Sequence, residues 1–136
     1  MKLLSIRLIV NDIQQSVTFY EEILGLTARW FTPDFAEFST DSITIAIGST
    51  HTMQLFGDNL VVAGNSSPMI IEFLVENVDQ EYARIKNSTP KVIQEPTTMP
   101  WGNRSLLFSD PDGNLVNFFT PVTAEAIRKF GLDTII

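Results

Sequence analysis

The chain contains no cysteine and a single histidine, His51. The first absence excludes disulfides, thiolate metal sites and a thiol nucleophile. The second leaves little material for an imidazole metal centre, and nothing in the sequence sets His51 beside a serine and an acid as a hydrolytic triad. There is no glycine-rich phosphate loop. No apolar run approaches the roughly 18 residues needed to cross a bilayer. The opening segment MKLLSIRLIVND lacks a small-residue cleavage site and is expected to be a first strand, not a signal peptide. Positive charge is also scarce: nine Lys and Arg stand against sixteen Asp and Glu, leaving a net charge of −7. That surplus opposes phosphate backbones and anionic membranes, so neither nucleic acid nor membrane is an expected partner. A neutral or cationic small molecule suits it better, although acidic surfaces also serve solubility alone. With 44% hydrophobic and 18% charged residues over 136 positions, the composition is that of one globular domain, expected in the cytoplasm.

What is present is a repeat. LIVNDIQQSVTFY at 8–20 is answered by FLVENVDQEYARI at 73–85, an offset of 65 residues. In both copies a strand-like run ends in a capping arrangement, Asp12 with Gln15 and Asn77 with Gln80. Ile13, Val17 and Tyr20, and then Val78, Tyr82 and Ile85, place one apolar stripe on each following helix. A second block repeats in the same order, FSTDSITIAI at 38–47 and FSDPDGNLVNF at 108–118, with an offset of 71 when the turns Asp41-Ser42 and Asp112-Gly113 are matched.

The spacing predicts two βαβββ modules. In module one, 1–48, a strand at 3–10 leads to a helix at 13–24 ended by Gly25, then strands near 26–31, 35–39 and 43–48. Residues 49–67 read as a linker. In module two, 68–120, strand 68–75 and helix 78–87 precede strands 91–95, 104–109 and 114–120, with Pro96 and Pro100 bracketing a loop that carries Trp101. Thr123 caps a last helix over 124–130 within a C-terminal stretch at 121–136. Half-domains of about 60 residues are too small to bury a core alone, so the modules are expected to share one. The fold class is α+β: two tandem βαβββ modules forming a curved, partly open mixed sheet around a cleft.

The motifs LIVNDIQQSVTFYEEILGL at 8–26 and PWGNRSLLFSDPDGNLVNFF at 100–119, with the repeat, resemble the vicinal oxygen chelate superfamily. That superfamily includes glyoxalase I, extradiol dioxygenases, fosfomycin resistance enzymes and bleomycin-binding resistance proteins. The resemblance implies paired βαβββ modules, a homodimer, and a pocket on the concave sheet. It also implies four metal-ligand positions, which fall at Ser5, Ala46, Ile70 and Asn117. None is His, Asp or Glu, so no metal and no other cofactor is expected. Only a shift of frame at Ala46 would bring Glu37 or Asp41 inward.

Alternation along the first strands turns Ser5 and Arg7 to the inward face of one module and Ile70 and Glu72 to the same face of the other. A buried charge has to be paired or meet a ligand, so Arg7 and Glu72 are read either as a pair across the module junction or as ligand contacts. Trp101, and Trp30 with Phe31, stand at expected pocket rims and Phe56 lies in the linker, all offered as flat surfaces for a conjugated ligand. Asn117, Ser5 and Arg104 are candidates for orienting hydrogen bonds. Three functions follow. One is a metal-independent binding protein of the drug-resistance type, taking an aromatic or cationic ligand through Arg7, Glu72, Trp101, Trp30, Phe56, Asn117 and Ser5. Another is an enzyme with displaced metal ligands, or one that moves protons through a buried Glu72. The last is a dimeric interaction or regulatory domain.

Overall fold

The computed structural model describes residues 3–55, 69–88 and 91–131. Its backbone divides into two compact units, Met1–Ser67 with Pro111–Gly113, and Pro68–Asp110 with Asn114–Ile136. The first unit holds β1 (Ser5–Val10), α1 (Ile13–Leu24), β2 (Arg29–Thr32), β3 (Phe35–Ser39) and β4 (Thr44–Ser49). The second holds β5 (Ile70–Leu74), α2 (Val78–Ile85), β6 (Lys91–Thr98), β7 (Asn103–Ser109), β8 (Leu115–Pro121) and α3 (Ala124–Lys129). Both sheets have the same topology, β1-β4-β3-β2 and β5-β8-β7-β6. In each, the first strand runs parallel to the last, and the other pairs are antiparallel. The βαβββ reading and the α+β class hold.

The helices start where the sequence signals them. Asp12 accepts from the Gln15 N–H, Asn77 from Gln80 and Thr123 from Ala126, each bond stabilising a helix start by about 1 kcal/mol. Gly25 ends α1 with φ 66°, its N–H donating to the Glu21 carbonyl, a conformation that a Cβ would oppose. The apolar stripe of α1 buries Ile13, Val17, Tyr20 and Ile23, and the Tyr20 ring lies 6.4 Å from that of Phe38 on β3. In the second unit Val78 and Ile85 of α2 are buried. Phe118 makes edge contacts with Phe108 and Phe73 at 5.1 and 5.6 Å. Each core therefore sits between one helix and one face of its own sheet.

Three local expectations change. Residues 50–55 form a 3₁₀ helix, Thr50–Leu55, where a linker was expected; the Thr52 hydroxyl donates to the Ser49 carbonyl as it leaves β4. Pro96 lies inside β6 and does not bracket a loop. β6 is an edge strand and its pairing with β7 is irregular between Gln94 and Thr97, which is where a residue without an N–H is tolerated. The loop itself is a tight turn, Met99–Gly102, closed by Gly102 N–H to Met99 O and Met99 N–H to Asn103 O. Gly102 has φ 97°, and a Cβ there would stand 2.2 Å from Thr123 Oγ1 and 3.0 Å from Ala126 Cβ. The turn that carries Trp101 is thus seated directly on the start of α3.

The 110–113 turn behaves as its sequence predicts. Asp110 is buried and accepts from the backbone and side-chain amides of Asn114. Asp112, counted with the first unit, accepts from the Asn11 N–H at 3.3 Å and from the fully buried Ser16 hydroxyl at 2.9 Å.

Candidate functional site

Residues paired directly across a sheet turn their side chains to the same face. In the first unit Arg7 pairs with Ala46, Ala46 with Glu37, and Glu37 with Arg29. The neighbouring rows are Ser5–Thr44–Ser39 and Ile9–Gly48–Phe35–Thr32. Phe38, which meets α1, has the opposite parity from Phe35 and Glu37, so these rows lie on the face away from the helix. In the second unit the corresponding row is Glu72–Asn117–Leu107–Gln94, with Phe118 and Phe108 turned the other way. Arg7 with Ala46 and Glu72 with Asn117 are register partners, which are the pairs that the two repeat offsets connect. The frame at Ala46 is correct, and Glu37 shares its face with no shift: it stands two strands from Arg7 in the same row.

The open face of the first sheet carries an array of cations and rings. The Arg7 guanidinium lies 5.0 Å from the centroid of Phe35, and that of Arg29 lies 4.9 Å from Phe31. The two rings are 6.1 Å apart. Phe31 follows Arg29 onto this face by simple alternation, and the irregular pairing between Trp30 and Thr32 brings Thr32 to it as well, opposite Phe35. Trp30 pairs with the buried Ala36 and so belongs to the helix-side row. Of the two aromatics expected at this rim, Phe31 faces the open side and Trp30 does not.

On the second sheet Asn117 Nδ2 donates to Glu72 Oε2 at 2.9 Å. Asn117 is buried, and its Oδ1 has no hydrogen-bond partner. Turning the amide over would set two oxygens against each other, so the donor side belongs to Glu72. Arg7 and Glu72 are exposed, where buried charges were expected, and each has a partner in its own unit. Ser5 is exposed opposite Thr44, and Trp101 is 63% exposed at its turn. Phe56 lies outside the described residues. Arg104 departs from its expected role: it donates from Nε and a terminal nitrogen to Asp79 at the start of α2, at 2.8 and 3.0 Å, which commits it to the helix side. Those hydrogen bonds, more than the Arg104 charge, hold the Asp79 carboxyl below its ordinary range, against a smaller opposing effect of burial. Burial and then the neighbouring Glu95 push the Tyr82 hydroxyl up.

The whole chain can now be placed. A model of the Glyoxalase/Bleomycin resistance protein/Dioxygenase superfamily matches residues 2–118. The chain belongs to this superfamily. It is 34% identical over 125 residues to the Bacillus subtilis (strain 168) protein YraH, covering 88% of this chain and 98% of that one. It is 30% identical over 127 residues to a bleomycin resistance protein of Geobacillus stearothermophilus, covering 83% and 92%. A crystal structure of a family enzyme from Burkholderia phytofirmans PsJN superposes with TM-score 0.80 at 16% identity, over 90% of this chain and 100% of that one, and shares the fold.

The four superfamily metal positions do not suit a divalent ion here. Ala46 and Ile70 offer no donor atom, Ser5 only a neutral hydroxyl, and Asn117 has its amide nitrogen committed to Glu72. Among the described residues no three His, Cys, Asp or Glu side chains gather as a metal-binding group.

Proposed function

We propose that the chain is a metal-independent, small-molecule-binding member of its superfamily, working as a cytoplasmic homodimer with its two units as one domain. The observation that carries this reading is the Asn117–Glu72 hydrogen bond. It occupies the place of a metal-ligand position with a neutral amide, while the equivalent position in the other unit is Ala46. An orphaned amide oxygen, exposed aromatic rings and charges on open sheet faces are what a ligand with a flat conjugated part and a few polar groups requires. Ser5 lies in a row of the first open face, Trp101 is exposed at its turn, and Glu72 is suited to a cationic or hydrogen-bond-donating group. The similarity to a bleomycin resistance protein supports sequestration over turnover.

A second reading, an enzyme with displaced ligands, is favoured by one observation: Glu37 as well as Glu72 lies on an open face. Elemental analysis of tag-free protein, with thermal unfolding in added Mn²⁺, Zn²⁺ and Fe²⁺, separates the two. The binding reading expects no stoichiometric ion and an unchanged midpoint. One ion per chain with a raised midpoint overturns it in favour of the enzyme.

A further inference from the structure

We propose that the open face of the first sheet recognises a planar, conjugated monocarboxylate, with Arg7 and Arg29 as its anion contacts and the Phe31–Phe35 pair as its platform. This rests on the small-molecule-binding reading above and names the chemical class of ligand for that face.

Arg7, Phe35, Phe31 and Arg29 form an unbroken cation–ring–ring–cation array, with successive separations of 5.0, 6.1 and 4.9 Å. Among the described residues, neither arginine has a carboxylate within ion-pair distance. That is notable in a chain with sixteen acidic and nine basic residues, where counter-charges are plentiful. A guanidinium held over a ring keeps its N–H edges available. Those edges match the two oxygens of a carboxylate, and the ring restricts the side chain in advance, so less entropy is lost on binding. Ala46, between Arg7 and Glu37 in the central row, is buried and contributes only a methyl group, so ligand contact falls to the larger side chains around it.

Glu37 refines the class. It stands in the same row without an ion pair, and its charge penalises a dianion such as a phosphate monoester more than a monoanion. It also favours a ligand that offers a hydroxyl or N–H beside its carboxylate. Among the described residues the second sheet shows no such array: its equivalent row, Glu72–Asn117–Leu107–Gln94, contains no cation, and Lys91 stands in the neighbouring row opposite Ser109 with no ring beneath it.

The test is titration of the full chain at neutral pH with three probes of one shape: 2-naphthoate, 2-naphthol and protonated 2-naphthylmethylamine. Naphthoate should bind about tenfold or more tighter than naphthol, the gain of a charge-assisted pair. R7Q and R29Q should each reduce the ratio of naphthoate to naphthol affinity. E37Q should strengthen naphthoate binding about two- to fivefold by removing a like charge. R7K, which keeps the charge and loses the fork, guards against a folding defect in R7Q and should lose part of the preference. If naphthol or the amine binds as tightly as naphthoate and R7Q changes nothing, the anion assignment is wrong while the binding reading stands. If none of the three binds, both fall.

Discussion

The two sheets have one topology and one register, yet their open faces carry opposite chemistry. The first presents Arg7, Ala46, Glu37 and Arg29 in a row beside two phenylalanine rings; the second presents Glu72, Asn117, Leu107 and Gln94. On the helix side the two are alike: Phe38 on β3 and its pairing partner Ile45 are buried, as are the counterpart Phe108 on β7 and its partner Val116. The fold constrains the side that meets the helix, because packing there is close and any lost volume is felt. It leaves the other side free to vary.

The largest expected effects test the shared half of this comparison. Phe38→Ala and Phe108→Ala should each cost about 3–5 kcal/mol in urea unfolding, since both rings are fully buried. A silent result in one unit would show that its core is not the counterpart of the other. A smaller effect is expected where each open face is bordered by a short helical element. Gly102→Ala combines a positive φ with displacement of Thr123 and should cost about 2–4 kcal/mol. Gly48→Ala meets only the Thr52 hydroxyl at 2.8 Å, a movable group, and should cost about 1 kcal/mol, the value of the hydrogen bond Thr52 gives up. Equal losses would mean that both borders are equally rigid.

The smallest effect belongs to the Arg104–Asp79 pair, which is largely open to solvent. The Asp79 carboxyl titrates lower in the folded chain than in the unfolded one. The stability it contributes is therefore present above the unfolded pKa and is lost as pH falls through the folded one. Arg104→Gln should lower the thermal midpoint slightly at neutral pH, and the gap from the parent should close in acid. A gap that persists at low pH would assign the loss to packing of the arginine stem.

Much of this was legible in the sequence, because the repeat encodes the same strand, cap and helical stripe twice. Asp12, Asn77 and Thr123 cap as their spacing indicates, and α1 spans the predicted residues. The misplaced details have separate causes. A position at the end of a strand puts Trp30 at the rim, whereas its pairing with the buried Ala36 turns it to the helix side; Pro96 sits within β6 because the pairing of that edge strand is irregular. Glu37 was missed for another reason. Counting alternation outward from β4 through a hairpin requires the turn length, and the turn at Thr40–Ile43, held by the Thr40 hydroxyl, has no glycine to announce its form. Arg104, expected as a source of orienting hydrogen bonds, is instead committed to Asp79, a pairing that only its position opposite the start of α2 reveals.

Asp112 has a consequence for how the chain is made. During synthesis the segment from β1 to β4 is finished long before residue 112 is added, yet the Ser16 hydroxyl and the Asn11 amide depend on that carboxylate. A nascent first module still attached to the ribosome lacks the acceptor that closes the N-terminal end of α1. Its final hydrogen bonds must wait for the β7–β8 turn, so the first half of the protein to be translated cannot be the first half to be completed.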